Sequence, residues 1–160
     1  MASKKRSCQT CSISRWQYQL DKYCDQIASE KVRASPAVLS AVRRFIAWRE
    51  SRKYEWRPGA VERALRFCGL LALPNGRTLE LLPWQVFAIA GIFGFYDGDR
   101  RVTRRAFISV ARKNGKSTMA AALGLKLLLA DDEHAAQVVC VARSRRQAKI
   151  VFSEACAMVQ

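Results

Sequence analysis

From Ser14 onward the apolar residues Trp16, Leu20, Tyr23 or Cys24, and Ile27 recur three or four positions apart, with Asp21, Asp25 and Glu30 as their polar complement. That spacing puts one apolar stripe on a helix, and Ser14 is a residue type that caps one. A second helix starts at Ser35 with Pro36 in its first position, and it sets Val38, Val42, Phe45 and Ile46 on one side. Its arginines 43, 44, 49 and 52 read as a solvated face. Arg57-Pro58-Gly59 breaks that helix, and Val61, Ala64, Leu65 and Cys68 mark a third, which ends before the turn Pro74-Asn75-Gly76.

Beyond this turn the pattern changes. Thr78 to Leu81 reads as a short extended piece, and Pro83 opens a helix through Trp84, Val86, Phe87, Ile89, Ala90 and Phe93, closed by Asp97-Gly98-Asp99. Ala106 to Val110 is an apolar run of strand type; it stops at the polar turn Arg112-Lys113-Asn114-Gly115, and an alanine- and leucine-rich helix resumes at Ser117. Gln137 to Ala142 reads as a second buried strand, and Gln147 begins a last helix with Val151 and Met158 among its apolar positions. The order β-α-β-α predicts the first part of an α/β sheet domain. Three regions are expected: a basic arm over 1–13, a helical region over 14–73 and the sheet domain over 74–160.

Composition narrows the partners. A chain of 160 residues, half of them hydrophobic, suffices for one modest domain with a core and argues against disorder over most of its length. Twenty-eight Lys and Arg against thirteen Asp and Glu leave a net charge of +15, which favours polyanions such as nucleic acid, nucleotide or an anionic membrane without choosing among them. No apolar run reaches the roughly 18 residues of a membrane span; even Met119 to Ala130 carries Lys126 and ends in Asp131-Asp132-Glu133. Met1 to Thr10 is basic and polar with no apolar block behind it, so a cytoplasmic protein is expected. That arm could touch DNA phosphates without sequence preference or be a solvated tail.

Cys24, Cys68, Cys140 and Cys156 fall in apolar patterns and read as core thiols. Cys8 and Cys11 have metal-ligand spacing and Cys24 offers a third ligand, yet tetrahedral zinc takes four and His134, the only histidine, is far away in sequence. Two reduced thiols on a terminus is the competing reading. Arg143, Ser144, Arg145 and Arg146 follow the second strand, where open α/β sheets place ligands, so they read either as contacts to DNA or a neighbouring nucleotide, or as an exposed basic loop.

The loop before Ser117 carries the strongest chemistry. Strand, polar turn and helix converge backbone N–H groups and a helix N-terminus on one anionic point. Gly115 permits close backbone approach, Lys116 supplies a point charge for β- and γ-phosphates, and Ser117 offers a hydroxyl to Mg²⁺. A full G-x-x-x-x-G-K-[ST] pattern would have glycine where Val110 stands. Upstream, Leu82-Pro83-Trp84-Gln85 sets a glutamine in the first turn of a helix, and its amide can donate to and accept from an adenine edge at once; ordinary packing at a helix start is the alternative.

The octet ARKNGKST, residues 111–118, resembles the deviant Walker A motif of the tailed-phage terminase large subunits, and LPWQ resembles that family's adenine-binding segment. The likeness runs from about Tyr54 to Phe152. It implies an additional-strand P-loop ATPase binding ATP and Mg²⁺. In that family Gln85 would meet the adenine, Lys116 the phosphates and Ser117 the Mg²⁺, while Arg112, at the family's arginine position, would sense or stabilise the γ-phosphate. Lys113, Asn114, Gly115 and Thr118 complete the cradle. The partners implied are double-stranded DNA, a small terminase subunit and a portal ring, in an oligomeric motor inside the bacterial host cell.

The family also implies a further strand ending in paired acids, a coupling motif and a nuclease domain. Asp131, Asp132 and Glu133 are no substitute for those acids, because they follow a helix and read as an αβ turn. The expectation is therefore the N-terminal nucleotide-binding part of such a subunit, truncated or split, without its Walker B acid and catalytically incomplete. A non-enzymatic basic DNA-binding remnant is the rival from another class, and a different P-loop enzyme such as a helicase or small-molecule kinase is the second.

Overall fold

The computed structural model describes residues 14–51, 53–73, 75–131 and 133–159. The basic arm, with Cys8 and Cys11, lies outside them, as do Arg52, Pro74 and Asp132. Helix α1, Arg15–Ala28, begins where the Ser14 N–H donates to Gln17 Oε1 at 3.1 Å, and it buries Leu20, Cys24 and Ile27. Helix α2, Pro36–Glu50, begins where Ser35 Oγ accepts the Val38 N–H at 3.4 Å, and it buries Val42 and Phe45. Its arginines do more than meet solvent. Arg49 pairs with Asp21 at 2.6 Å and lies 5.3 Å above the Trp56 ring, so it ties α2 to α1 and to the strand that follows.

That strand, β1 (Glu55–Trp56), was not predicted. Helix α3 spans Pro58–Leu70, and the chain then doubles back through an isolated bridge, Ala72 to Thr78, with Gly76 at φ +74 in the turn. Helix α4 spans Pro83–Phe93, followed by β2 (Phe95–Asp97) and β3 (Arg100–Arg101). The stretch Asp97-Gly98-Asp99, read above as a helix stop, is a hairpin turn: Asp97 pairs with Arg100, and the two-residue loop opens with Gly98 at φ +57, glycine being the residue such turns take at their first central position. The three short strands form an antiparallel sheet in the order β1-β2-β3, pairing Trp56 with Phe95 and Tyr96 with Arg101.

Two buried clusters share α4, and the reason is its composition. PWQVFAIAGIF is apolar on every side, as suits a helix surrounded by others. Val86 and Ala90 join Leu20, Cys24, Val42, Phe45, Val61 and Phe95 in one cluster. Ile89 and Phe93 join Ala64, Cys68, Ala121, Ala122, Leu125 and Met158 in the other. The second cluster is closed by helix α5, Lys116–Leu129, and helix α6, Arg145–Met158. Helix α6 starts two residues before the predicted Gln147, because Ser144 Oγ accepts the Gln147 N–H at 3.3 Å and so caps the chain earlier.

The two predicted strands around α5 are the main correction. Neither 106–110 nor 137–142 joins a sheet among the described residues, and the two do not pair with each other. The chain mixes helix and sheet, as the α/β reading has it, but the described residues do not show the β-α-β-α sheet expected over 74–160; the sheet they form is the small antiparallel one. The cause is the geometry of β structure: a strand is satisfied only by neighbours on its edges, and neither run has one. Their apolar side chains stand in solvent instead, Phe107 at 94 % and Val141 at 88 % exposure.

Candidate anion-binding site

The turn before α5 is an exposed loop whose shape depends on two left-handed residues, Lys113 at φ +66 and Gly115 at φ +68. Glycine adopts that conformation freely, whereas at Lys113 a side chain is held in it. Asn114 supports the turn from within: its Nδ2 donates to the Ala111 carbonyl at 3.2 Å and reaches that of Arg112 at 3.5 Å. Asn114, expected among the ligand contacts, also braces the loop. Arg112 and Lys113 are exposed beside it.

Helix α5 begins directly at Lys116, with Ser117 and Thr118 half-buried behind it and Met119 buried. The Gly115 carbonyl accepts the Met119 N–H at 2.9 Å, closing the first helical turn. No side chain caps this helix start, and its first turn holds no Asp or Glu. The leading N–H groups of a helix have no partner within it, so this end presents donors and a partial positive charge, reinforced by the Lys116 ammonium. Such a donor set suits a phosphate.

Gln85 is brought to the same place from thirty residues upstream. It is only 2 % exposed, at the third position of α4. Its Oε1 accepts the Leu82 N–H at 2.8 Å, and its Nε2 donates to the Gly115 carbonyl at 3.3 Å. Only one orientation of the amide serves both, since the reverse would face donor to donor and acceptor to acceptor. A Cβ on Gly115 would stand 3.1 Å from that Nε2. The close approach and the left-handed φ both call for glycine.

The far end of α5 holds a second constellation that sequence reasoning missed. Lys126, 5 % exposed, pairs with Asp131 and lies 4.3 Å above the Phe93 ring; Asp131 also pairs with Arg101 at 3.1 Å. The signal was present in a lysine inside an apolar run with an acid five residues on. At about 1.5 Å per residue, the fourteen residues of α5 put this cluster roughly 20 Å from the loop. Asp131 is thus both distant from the candidate phosphate site and already paired.

The zinc alternative loses its third ligand. Cys24 is buried in α1, and burial pushes its thiol up to about 12, which opposes the thiolate a metal needs. Among the described residues no cluster of His, Cys, Asp or Glu could hold a metal. Cys68 is buried as expected, but Cys140 is exposed because the 137–142 run is uncovered, and Cys156 is intermediate. Arg143, Arg145 and Arg146 are exposed where α6 begins. Among the described residues, no helix is long and apolar enough to cross a membrane.

Residues 83–160 match the family model described as terminase large subunit, ATPase domain. The match begins at the first residue of α4 and takes in Gln85, the loop and α6. No curated protein and no solved structure matches the chain.

Proposed function

We propose, from the premise that residues 83–160 belong to the ATPase-domain family of terminase large subunits, that this chain binds Mg-ATP at the start of α5 as part of a motor that packages viral DNA. The observation that carries the reading is the convergence of an uncapped, acid-free helix start, Lys116 and Ser117 in its first two positions, and a glycine held against Gln85. The residues fit the ligand: an exposed donor set with a lysine suits the phosphates, and the Ser117 hydroxyl suits Mg²⁺. Ser117 would hold Mg²⁺, which when bound would supply positive charge to offset that of the terminal phosphates. Lys116 holds their charge, Arg112 lies exposed on the loop where it can reach a γ-phosphate, and Lys113 and Thr118 flank the cradle. Gln85 keeps one N–H and one lone pair uncommitted, which an adenine edge would take.

Hydrolysis needs a positioned metal and water as well as a phosphate cradle. Asp131 does not serve, being committed to Lys126 and Arg101 at the opposite end of α5. With Asp131 so committed, the chain is expected to bind Mg-ATP and to turn it over slowly. The family's DNA, small-subunit and portal partners, its oligomeric state and its place in the host cytoplasm belong to the same proposal. Titration calorimetry with Mg-ATP tests it: Lys116→Ala should lower affinity at least tenfold, and equal affinity in both proteins would remove the site. The +15 charge favours a second reading, a basic DNA-binding module, which predicts salt-sensitive DNA binding with no nucleotide binding at all.

A further inference from the structure

We infer that Gln85 is a positioning residue for the phosphate loop, acting on the phosphates through the Gly115 backbone and not only on a base. The inference rests on the nucleotide-site reading above and deepens it. Gln85 stands on a well-anchored helix: Val86 and Ala90 are buried in one cluster, Ile89 and Phe93 in the other. The loop it touches is the reverse, since residues 111–116 are all exposed. Two amides brace that loop, Asn114 from inside the turn and Gln85 from the core. Of these, only Gln85 links it to another element.

The point of attachment matters more than its strength. Gly115 is the last residue before α5, and its carbonyl is shared by the Gln85 amide and the Met119 N–H that closes the first helical turn. Fixing that carbonyl fixes the peptide plane it shares with the Lys116 N–H, and with it the direction in which the leading donors of α5 point. A site whose donors are already aimed binds an anion without first ordering them. Gln85 thus contributes preorganisation, and it does so whether or not the ligand has a base.

A base-free ligand separates the two roles. Mg-tripolyphosphate has the phosphates of ATP and nothing for an amide to read. Calorimetry on the full chain should show Gln85→Ala weakening Mg-tripolyphosphate by roughly five- to tenfold, the factor one hydrogen bond carries. Should Gln85→Ala disturb the helix, Gln85→Glu keeps size and the acceptor for the Leu82 N–H but turns an acceptor towards the Gly115 carbonyl. Its affinity relative to wild type at each pH should be low near pH 7 and recover as pH falls and the carboxyl gains a proton to donate. Unchanged tripolyphosphate binding in Gln85→Ala, or a Gln85→Glu ratio flat with pH, would overturn the positioning role while leaving the nucleotide site intact. Failure of the wild-type chain to bind either ligand would overturn the nucleotide site and this inference with it.

Discussion

Gly115 is the residue at which conformation and contact coincide, at φ +68 with a would-be Cβ 3.1 Å from the Gln85 amide. Gly115→Ala should therefore strain the folded loop by about 1–2 kcal/mol, the ordinary cost of a left-handed alanine, so it should weaken Mg-ATP by calorimetry and lower the melting temperature by roughly 2–4 °C per kcal/mol. A Gly115→Ala protein with wild-type affinity would mean that the loop reorganises on binding. Buried thiols give a second prediction. Burial raises Cys24 to about 12 and Cys68 to about 11, from an ordinary 9.0. The folded chain holds both protons more tightly than the unfolded one, so their contribution is complete below pH 9 and is lost as pH rises through 11 and 12. Melting temperature should fall over that range, and Cys24→Ala with Cys68→Ala should fall less steeply. Each residue of the candidate site was legible in the sequence by type and spacing. The bond between Gln85 and Gly115 was not, because thirty residues of helix, hairpin and loop must fold before the two meet.

Among the elements, the helices were readable and the strands were not, for one reason. Ser14, Ser35 and the three prolines at helix starts are local signals, and the apolar stripes of α1 and α2 repeat within a few turns. Strands depend on distant partners: Trp56 pairs with Phe95 across nearly forty residues, and a two-residue strand has no periodicity to read. The β2 strand also depends on Gly94, where a side chain would collide with the Trp56 ring and stand 2.6 Å from the Ala90 carbonyl. The sharper prediction lies at the end of α5, where Lys126 is buried against Phe93 with Asp131 as its partner. Asp131→Ala should cost about 3 kcal/mol or more, since it leaves a buried ammonium unpaired. Lys126→Met should cost less, because methionine packs on Phe93 and Asp131 keeps Arg101. Denaturant unfolding that ranks the two variants the other way would show that the pair is not a buried one in solution.

For the molecule as a whole, the two unjoined runs on either side of α5 decide how these 160 residues behave alone. Phe107, Val139 and Val141 are exposed, and so are Ile150 and Phe152 on α6. Unpaired backbone next to exposed apolar side chains is the ordinary setting for strand-to-strand association. Against it stands a net charge of +15, which makes copies of the chain repel one another. The balance depends on salt, because screening shortens the reach of that repulsion to about 10 Å at 0.1 M and about 3 Å at 1 M while leaving apolar contact in place. Self-association measured by light scattering after size exclusion should therefore grow with ionic strength, and Phe107→Ser with Val141→Thr should reduce it. Hydrogen exchange should be fast over 103–110 and 136–142 and slow over α4. Association through bound nucleic acid would show the opposite sign, since raising salt releases a polyanion from arginine and lysine. Association that fails to grow with salt in a nuclease-treated sample would mean that these exposed runs do not drive it.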